Sequence, residues 1–264
     1  MNGIGQWTLV SYLIEKLNAA GTATATLLTV GGVVLCIVIP YLLGSVNFGL
    51  IISNKKYNDD IRTHGSGNAG ATNMLRTYGT KAAVLTMLGD MLKAVIAVGL
   101  GYLIVGINAQ VVEPNGLTYR MVDNFGAAIA GLFVMLGHMF PIFFKFKGGK
   151  GVATSAMVIL MISPITCLCC FIVFIIVVLG TRYVSLASVM GMSLFPVFLN
   201  TWSHVYDPPR NSTACMISIV MAILVVYMHR ENLKRLLAGT ESKISFGKKK
   251  KGAEGDGNTP NKNQ

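Results

Sequence analysis

Long apolar stretches, separated by short polar segments, run through most of this chain. The pattern predicts helices that cross a membrane, because an apolar run of about 20 residues matches the thickness of a bilayer. Seven such stretches are present, and several of them, the fourth above all, are shorter than that length. They cover about 27–52, 82–107, 125–144, 152–162, 165–180, 184–200 and 213–228.

The short fourth stretch leaves an alternative, in which residues 152–180 form one long tilted helix and the chain crosses the membrane six times. Ser163-Pro164 favours a break instead, because the residue before a proline is disfavoured in a helix. Positive charge also favours seven spans, since Lys and Arg collect in cytoplasmic loops. With an outside N-terminus, loops 53–81 and 145–151 and the basic C-terminal segment then all lie inside. We therefore expect an all-α polytopic membrane protein with seven transmembrane helices, N-terminus outside and C-terminus cytoplasmic.

The composition excludes several other classes of protein. Of the 264 residues, 53% are hydrophobic and only 12% are charged, about half the charged share of a soluble domain. The net charge of +11 fits cytoplasmic loops better than a nucleic-acid surface, so we expect no nucleic-acid partner. All five cysteines lie in apolar stretches, where we expect them to pack as small hydrophobic residues, without disulfides or metal.

Three regions are predicted along the chain. Residues 1–26 form an N-terminal extension in which 7–17 are a candidate interfacial helix, and residues 27–246 form the seven-helix domain. Residues 247–264 have the composition of a disordered basic and polar tail, and their lysine run can contact anionic membrane lipid.

A glycine-rich loop, GSGNAGATN over residues 65–73, lies between Arg62 and Arg76. Glycines allow backbone N–H groups to converge on a small anion, and the guanidinium of Arg76 suits a phosphate. The alternative is a flexible linker between helices, which needs neither the polar side chains nor the arginines. The candidate phosphate ligands are Ser66, Gly67, Asn68, Thr72, Asn73 and Arg76.

A second basic patch extends over residues 138–154 and includes the run KGGKG at 147–151. Glycines flank Lys150 on both sides, which makes it the candidate phosphate ligand, whereas Lys145 and Lys147 are expected to anchor the loop at the membrane surface. His138, close to the end of an apolar helix, is more typical of a packing residue than of a catalyst.

Two further polar pairs are spaced to share one helix face. Ser188 follows Ser185 by three residues, as Asn232 follows His229; the alternatives are helix-packing hydroxyls and a polar helix end. Asp90 and Lys93, inside the second apolar stretch, are expected to form a structural pair or to lie near the inner end of the bundle. Together the loops indicate one site with room for two phosphates. Such a site suits either a phosphorylated substrate plus a phosphate leaving group, or transport of a phosphorylated solute.

Read together, these motifs resemble the acyl-phosphate:glycerol-3-phosphate acyltransferase family of bacterial membranes, the PlsY type. The resemblance covers roughly residues 36–245 and implies a seven-helix enzyme of the bacterial cell membrane whose site faces the cytoplasm. It is carried by Gly44-Ser45 with Asn47-Phe48-Gly49, by 65–73 with Arg76, and by 138–141, 146–154, 182–188 and 229–241.

The resemblance implies transfer of a fatty acyl group from a long-chain acyl phosphate to the sn-1 hydroxyl of glycerol 3-phosphate, giving lysophosphatidic acid and phosphate. It assigns the glycerol 3-phosphate side to Lys150, Ser188, His229 and Asn232, and matches Glu241 to a position linked to structural integrity. The catalytic candidates are Ser66, Arg76 and His229, and the base is either His229 or the substrate's own phosphate. The chemistry requires no cofactor and no metal.

Two observations bear on rival mechanisms. No His-x4-Asp pair occurs in the sequence, which argues against acyltransferases that use that pair. The remaining alternative is a transporter of a small phosphorylated solute, which would share the apolar spans and basic loops. The outer segments 108–124 and 201–212 carry little charge and no glycine-rich loop, which favours an enzyme with access from one side.

Overall fold

The computed structural model describes Leu9 and residues 12–13, 22–105, 107–112, 118–123, 125–206 and 212–244. Most of the predicted N-terminal extension over 1–26 and all of the predicted tail over 247–264 lie outside these residues. Within the candidate interfacial helix over 7–17, Leu9 and residues 12–13 are described and are helical.

Helices form nearly all of the described chain. Two short 3-10 turns, Ile61–Thr63 and Ile142–Phe144, lie in the polar loops. The helices are α1 (Thr22–Ser45), α2 (Phe48–Tyr57), α3 (Ala71–Tyr78), α4 (Thr80–Ile104), α5 (Phe125–Met139), α6 (Val152–Ile162), α7 (Pro164–Thr181), α8 (Val184–Tyr206), α9 (Ser212–Met228) and α10 (Arg230–Leu237).

Each predicted apolar stretch is largely helical, but the first one, 27–52, is divided between α1 and α2 by a break at residues 46–47. Five segments of the described chain are long and apolar enough to cross a bilayer, or six if α9 and α10, which meet at a bend of 55°, form one span. The eleven-residue α6 is a shorter apolar helix. The break after it is present: Ser163 ends α6, its side chain accepts a hydrogen bond from the Thr166 N–H, and Pro164 opens α7. The number of spans and the orientation of the termini stay predictions.

The fold of the described residues is all-helical apart from one hairpin between α4 and α5, which the apolar pattern did not predict. Strands β1 (Ile107–Val112) and β2 (Thr118–Asp123) form an antiparallel hairpin in which Ile107 pairs with Asp123 and Val112 with Thr118. These segments are rich in β-branched residues, which favour strands, and they are too short to show a helical period. The predicted segment 82–107 accordingly ends as a helix at Ile104.

The helix α5 occupies the centre of the bundle, and small residues allow its neighbours to approach closely. A Cβ on Gly44 of α1 would overlap the Val134 carbonyl of α5, and a Cβ on Gly137 would overlap the Tyr41 carbonyl of α1. Close backbone approach of this kind is how helices associate in membranes, where apolar side chains gain little from avoiding lipid. This packing places the C-terminal ends of α1 and α5 side by side beneath the polar loops.

Candidate active site

One cavity of about 500 Å³ opens among the polar loops and continues between the helices. Its polar end carries hydroxyl, amide and cationic side chains from five separate segments of the chain. Its apolar end lies between α4, α6, α7 and α8. The polar lining includes Ser66, Asn68, Thr72, Asn73, Arg76, Asp90, His138, Lys150, Ser155, Ser185, Ser188, His229, Asn232, Glu241 and Ser242.

Asn73 gives the glycine-rich loop its shape. Its side-chain amide donates to the carbonyls of Ile61 and His64 at 3.1 and 2.9 Å, and its Oδ1 accepts from the Ser66 N–H at 3.0 Å. Gly65 and Gly67 both adopt positive φ, +56° and +68°, which a residue with a Cβ rarely tolerates. Asn73, buried at 2% exposure, therefore acts first as the internal support of this loop.

Three backbone amides of this loop, those of Ser66, Gly67 and Gly70, already have hydrogen-bond acceptors in the same part of the chain. The Gly67 N–H donates to the His64 carbonyl at 2.9 Å, and the Gly70 N–H donates to Asn68 Oδ1 at 2.9 Å. The Ser66 N–H is bonded to Asn73. Gly67 moreover does not line the cavity, and its role as a substrate ligand stays a prediction. Side chains, rather than these amides, face the cavity.

Arg76 and Arg62 have different surroundings. Arg76 is exposed, lines the cavity and has no ion-pair or hydrogen-bond partner among the residues that the structure describes. Arg62 instead pairs with Asp60, with 2.7 Å between Nη2 and Oδ2, and donates from Nη1 to the Phe144 and Lys147 carbonyls at 3.1 and 3.3 Å. Arg62 thus fastens the two polar loops together and leaves Arg76 as the arginine available to an anion.

Lys150 and Asn232 meet at the opposite side of the cavity, where the Lys150 ammonium donates to Asn232 Oδ1. Asn232 Nδ2 donates to Glu241 Oε1 at 2.6 Å, and Ser185 Oγ donates to the same oxygen at 2.8 Å. Arg235 Nε pairs with Glu241 Oε2 at 2.8 Å. Glu241 is therefore the hub that fixes Asn232, and through it Lys150.

Two pKa values in this cluster depart from their ordinary range. Burial lowers the pKa of Lys150 to about 8; the Glu241 carboxylate opposes that shift, and the charges of Arg235 and Arg76 add to it. Burial by itself raises the pKa of Glu241, but hydrogen bonds from Asn232, Arg235 and Ser185 outweigh it and hold that pKa below its usual value. The lysine thus changes charge close to neutral pH while the carboxylate stays ionised.

His229 and Ser188 complete the polar end. His229, at 3% exposure, places Nδ1 2.8 Å from the Val225 carbonyl. A carbonyl can only accept, so Nδ1 carries the proton and Nε2 of the neutral ring has a free lone pair. Ser188 Oγ donates to the Val184 carbonyl at 2.8 Å, which leaves its oxygen able to accept. Both side chains line the cavity.

Asp90, Lys93 and His138 form a buried cluster at the floor of the cavity. Lys93 Nζ lies 2.8 Å from Asp90 Oδ1 and donates to the carbonyls of Gly44 and Val46 at 2.9 Å each. The expected pairing of Asp90 with Lys93 is confirmed, and the pair lies level with the ends of α1 and α5. His138 packs in this cluster, with Nδ1 3.0 Å from Lys93 Nζ.

The apolar end of the cavity is lined by flexible and aromatic side chains. Methionines from α4, α6 and α8 face phenylalanines from α7, and no side chain in this part carries a charge. The lining residues include Met87, Met91, Met157, Leu160, Phe171, Phe174 and Met192. Within the described ranges, no three His, Cys, Asp or Glu side chains cluster closely enough to hold a metal ion.

All but one of the residues predicted for the site line this single cavity, Gly67 being the exception. Sequence reasoning missed the role of Arg235 as a partner of Glu241. Gly239, just past the end of α10 with φ +70°, is the signal that could have found it. A glycine in this position reverses the chain after a helix, and here it returns Glu241 to Arg235.

Apolar helices of membrane length surround one cavity, which has a cationic end and an apolar end. These features define an integral membrane protein that accommodates both anionic and apolar groups. A model of the glycerol-3-phosphate acyltransferase family matches residues 34–239. A glycerol-3-phosphate acyltransferase from Thermoanaerobacter sp. (strain X514) is 44% identical over 214 residues, 80% of this chain and 95% of that relative. Another from Clostridioides difficile (strain 630) is 41% identical over 207 residues, which cover 78% of this chain and 93% of that relative. This chain belongs to the glycerol-3-phosphate acyltransferase family.

Solved structures give the same result. The fold is similar to a crystal structure of PlsY (YgiH), an integral membrane glycerol 3-phosphate acyltransferase, in its glycerol 3-phosphate form, with 37% identity and a TM-score of 0.66 over 81% of this chain and 96% of that chain. The lysophosphatidic acid form of PlsY matches with 35% identity and the same TM-score, over 81% of this chain and 95% of that chain. The protein is thus an integral membrane acyltransferase of the PlsY type, and the transporter alternative is set aside.

Proposed function

We propose that this protein transfers a long-chain acyl group from acyl phosphate to the sn-1 hydroxyl of glycerol 3-phosphate. The products are lysophosphatidic acid and inorganic phosphate, and the reaction is the first acylation in the synthesis of bacterial phospholipids. The observation that carries this proposal is one cavity in which Arg76, unpaired among the described residues, the half-buried Lys150 and an apolar end lie together. Those are the parts that two phosphates and one acyl chain require.

The donor phosphate binds at the side of the cavity formed by residues 65–76. Arg76 is the cation there that has no partner among the described residues, and Ser66, Asn68 and Thr72 add short polar side chains that line the same wall. Phosphate is a good leaving group, so this side needs to neutralise developing charge rather than supply a nucleophile. Asn73 contributes by holding the loop in shape.

The acceptor, glycerol 3-phosphate, binds at the opposite wall. Lys150 holds its phosphate, and Asn232 and Ser188 hold the glycerol hydroxyls within reach of His229. The acyl chain of the donor lies in the apolar end between α6, α7 and α8, which brings its carbonyl carbon between the two phosphate sites. The arrangement places both substrates in one cavity, so positioning supplies a large part of the rate enhancement.

The transfer is direct. The sn-1 hydroxyl oxygen attacks the acyl carbonyl carbon, the new ester C–O bond forms, and the bond between that carbon and the phosphate oxygen breaks. The hydroxyl proton passes to His229 Nε2, whose lone pair is free, or to the phosphate group of the substrate. Inorganic phosphate leaves from the Arg76 side. We further propose that this polar end faces the cytoplasm, because the basic loops of the chain surround it.

The test is a comparison of acyl donors with the purified protein in detergent or lipidic mesophase. Palmitoyl phosphate, palmitoyl-CoA and a palmitoyl acyl carrier protein thioester are each supplied with glycerol 3-phosphate, and released phosphate and lysophosphatidic acid are measured. We expect product with palmitoyl phosphate alone, with equal amounts of phosphate and lysophosphatidic acid. Turnover with a thioester alone would contradict the proposed donor while keeping the acyltransferase.

A further inference from the structure

The imidazole of His138 lies directly beneath the turn that carries Lys150. The Gly149 N–H donates to the His138 carbonyl at 3.1 Å, and the Gly148 N–H donates to the Met139 carbonyl at 3.1 Å. These two bonds attach the glycine turn to the C-terminal end of α5. The turn therefore has the end of that helix, and not the membrane surface, as its support.

No space separates the turn from the histidine ring. A Cβ on Gly149 would overlap His138 Nε2 and would lie 2.7 Å from Cε1 and 3.0 Å from Cδ2. A Cβ on Gly148 would overlap the His138 carbonyl oxygen and lie 2.6 Å from Pro141 Cδ. Gly148 and Gly149 are thus needed for close packing here. The ring fixes the height of the turn, which is the distance of its backbone from the end of α5, one residue before Lys150.

The ring itself is held by charge. Lys93 has only donors, so its 3.0 Å contact with His138 makes Nδ1 an acceptor and leaves the proton on Nε2, toward Gly149. Asp90 Oδ1 lies 2.8 Å from Lys93 Nζ and 3.4 Å from His138 Nδ1. All three side chains are at least 95% buried. Lys93 also binds the carbonyls at the end of α1, so the cluster ties α1, α4 and α5 to one point.

We propose that His138, held by Lys93 and Asp90, is a positioning residue that sets the height of the Gly148–Gly149 turn and so directs the Lys150 ammonium toward the phosphate of glycerol 3-phosphate. This inference rests on the proposed function for the identity of the ligand. It assigns the buried charges of α4 to alignment of the acceptor site, through a chain of contacts from Lys93 to His138, from His138 to Gly149, and from Gly149 to Lys150. His138 does not touch the substrate in this account.

The experiment is a double-mutant cycle read by binding. Gly149→Ala places a methyl group against the ring, and His138→Asn removes Nε2 and Cε1, the two ring atoms nearest that methyl, while keeping an acceptor for Lys93 at the Nδ1 position. The dissociation constant for glycerol 3-phosphate is measured by calorimetry for the wild type, both single variants and the double variant. Gly99→Ala, whose added methyl meets nothing within 4 Å, is the matched control for a glycine substitution in this protein.

We expect Gly149→Ala to weaken binding by at least about 10-fold, because a shift of about 1 Å in a binding group can cost up to 100-fold. His138→Asn should weaken it by about 5-fold, and the double variant should recover to within about 3-fold of His138→Asn, since the overlap is gone. Gly99→Ala should bind as the wild type does. Equal losses in Gly149→Ala and Gly99→Ala, or a double variant no better than Gly149→Ala, would overturn the proposal.

A pH series separates positioning from loss of stability. The charged groups that act on Lys150 are Glu241, Arg235, Arg76 and, when protonated, His229. Wild-type affinity should fall above about pH 8, and the fall should move to higher pH in the single variants, where Lys150 becomes more exposed to water. If the variants only lost stability, their affinity would fall at the same pH as that of the wild type, and this result would contradict positioning. Binding with this pattern, but without acyl transfer, would support the positioning role and overturn the proposed reaction alone.

Discussion

The glycine-rich loop over residues 65–76 and the cluster around Glu241 both present a cation to the same cavity, but they hold it in opposite ways. Arg76 is exposed and has no partner among the residues described, while the asparagines beside it bind the backbone of their own loop. Lys150 is half-buried and joined through Asn232 to the Glu241 carboxylate, which accepts two further hydrogen bonds, from Ser185 and Arg235. One cation is open to solvent, and the other belongs to a closed network.

The difference suits two different tasks. A leaving phosphate must be stabilised and then released, and an exposed guanidinium binds an anion without holding it in a dry site. An acceptor must be oriented before it reacts, and a buried ammonium fixed by neighbours loses little entropy on binding. The comparison therefore predicts that damage to the loop and damage to the cluster have separable effects.

The largest effect is expected from breaking the loop at its support. Asn73→Ala removes three buried hydrogen bonds, which costs about 4 kcal/mol when the desolvated partners are included, and kcat/KM should fall by about 1,000-fold. Steady-state kinetics with both substrates measures it. Asn68→Ala, which removes one hydrogen bond to Gly70, is the control and should lose about 10-fold at most. Full activity in Asn73→Ala would contradict the structural role of this side chain.

His229 tests the chemistry between the two regions. If its Nε2 takes the hydroxyl proton, His229→Ala should lower kcat by about 100-fold with little change in either KM. His64, which is exposed and pairs with Asp59 at 2.7 Å, provides a matched histidine away from the cavity, and His64→Ala should keep kcat within about 3-fold. Wild-type kcat in His229→Ala would eliminate this histidine and leave the substrate phosphate as the base.

The closed network should reveal itself in the pH profile. Because the pKa of Lys150 is lowered to about 8, the ammonium is present below that pH and is lost above it. We expect kcat/KM for glycerol 3-phosphate to be level below pH 8 and to fall about 10-fold per pH unit above it. Lys150→Arg, whose guanidinium stays charged, should not show this fall in kcat/KM above pH 8. If the fall persists in Lys150→Arg, another group is responsible for it.

The smallest effect separates a buried from an exposed carboxylate at the two ends of α10. Glu241, at 9% exposure, accepts from Ser185, Asn232 and Arg235, and Glu241→Gln should lower the midpoint of thermal unfolding by about 5 °C. Glu231 lies 3.1 Å from Lys234 on the surface, where an ion pair contributes little. Glu231→Gln should therefore change the midpoint by about 1 °C or less, and equal shifts would contradict the assignment of Glu241 as a hub.

The sequence predicts the helices and most of the cavity because both depend on local patterns. Apolar runs mark the helices, Pro164 marks the break between α6 and α7, and glycines beside polar residues mark both loops. The hairpin is not predicted, since two short strands form only by pairing with each other. The contacts of Gly67 and Arg235 are not predicted for a related reason. Their partners are the His64 carbonyl and the Glu241 carboxylate, and these are set by how the loop and the end of α10 turn in space.

The most direct test of two phosphate sites in one cavity is a crossed measurement of substrate dependence in two variants. Arg76→Ala and Lys150→Ala are assayed for kcat/KM toward palmitoyl phosphate and for KM toward glycerol 3-phosphate. The account predicts that Arg76→Ala lowers the former by at least about 100-fold and leaves the KM of glycerol 3-phosphate within about 3-fold, while Lys150→Ala raises that KM by at least about 10-fold. Variants that impair both substrates equally, or with the assignments reversed, would contradict it.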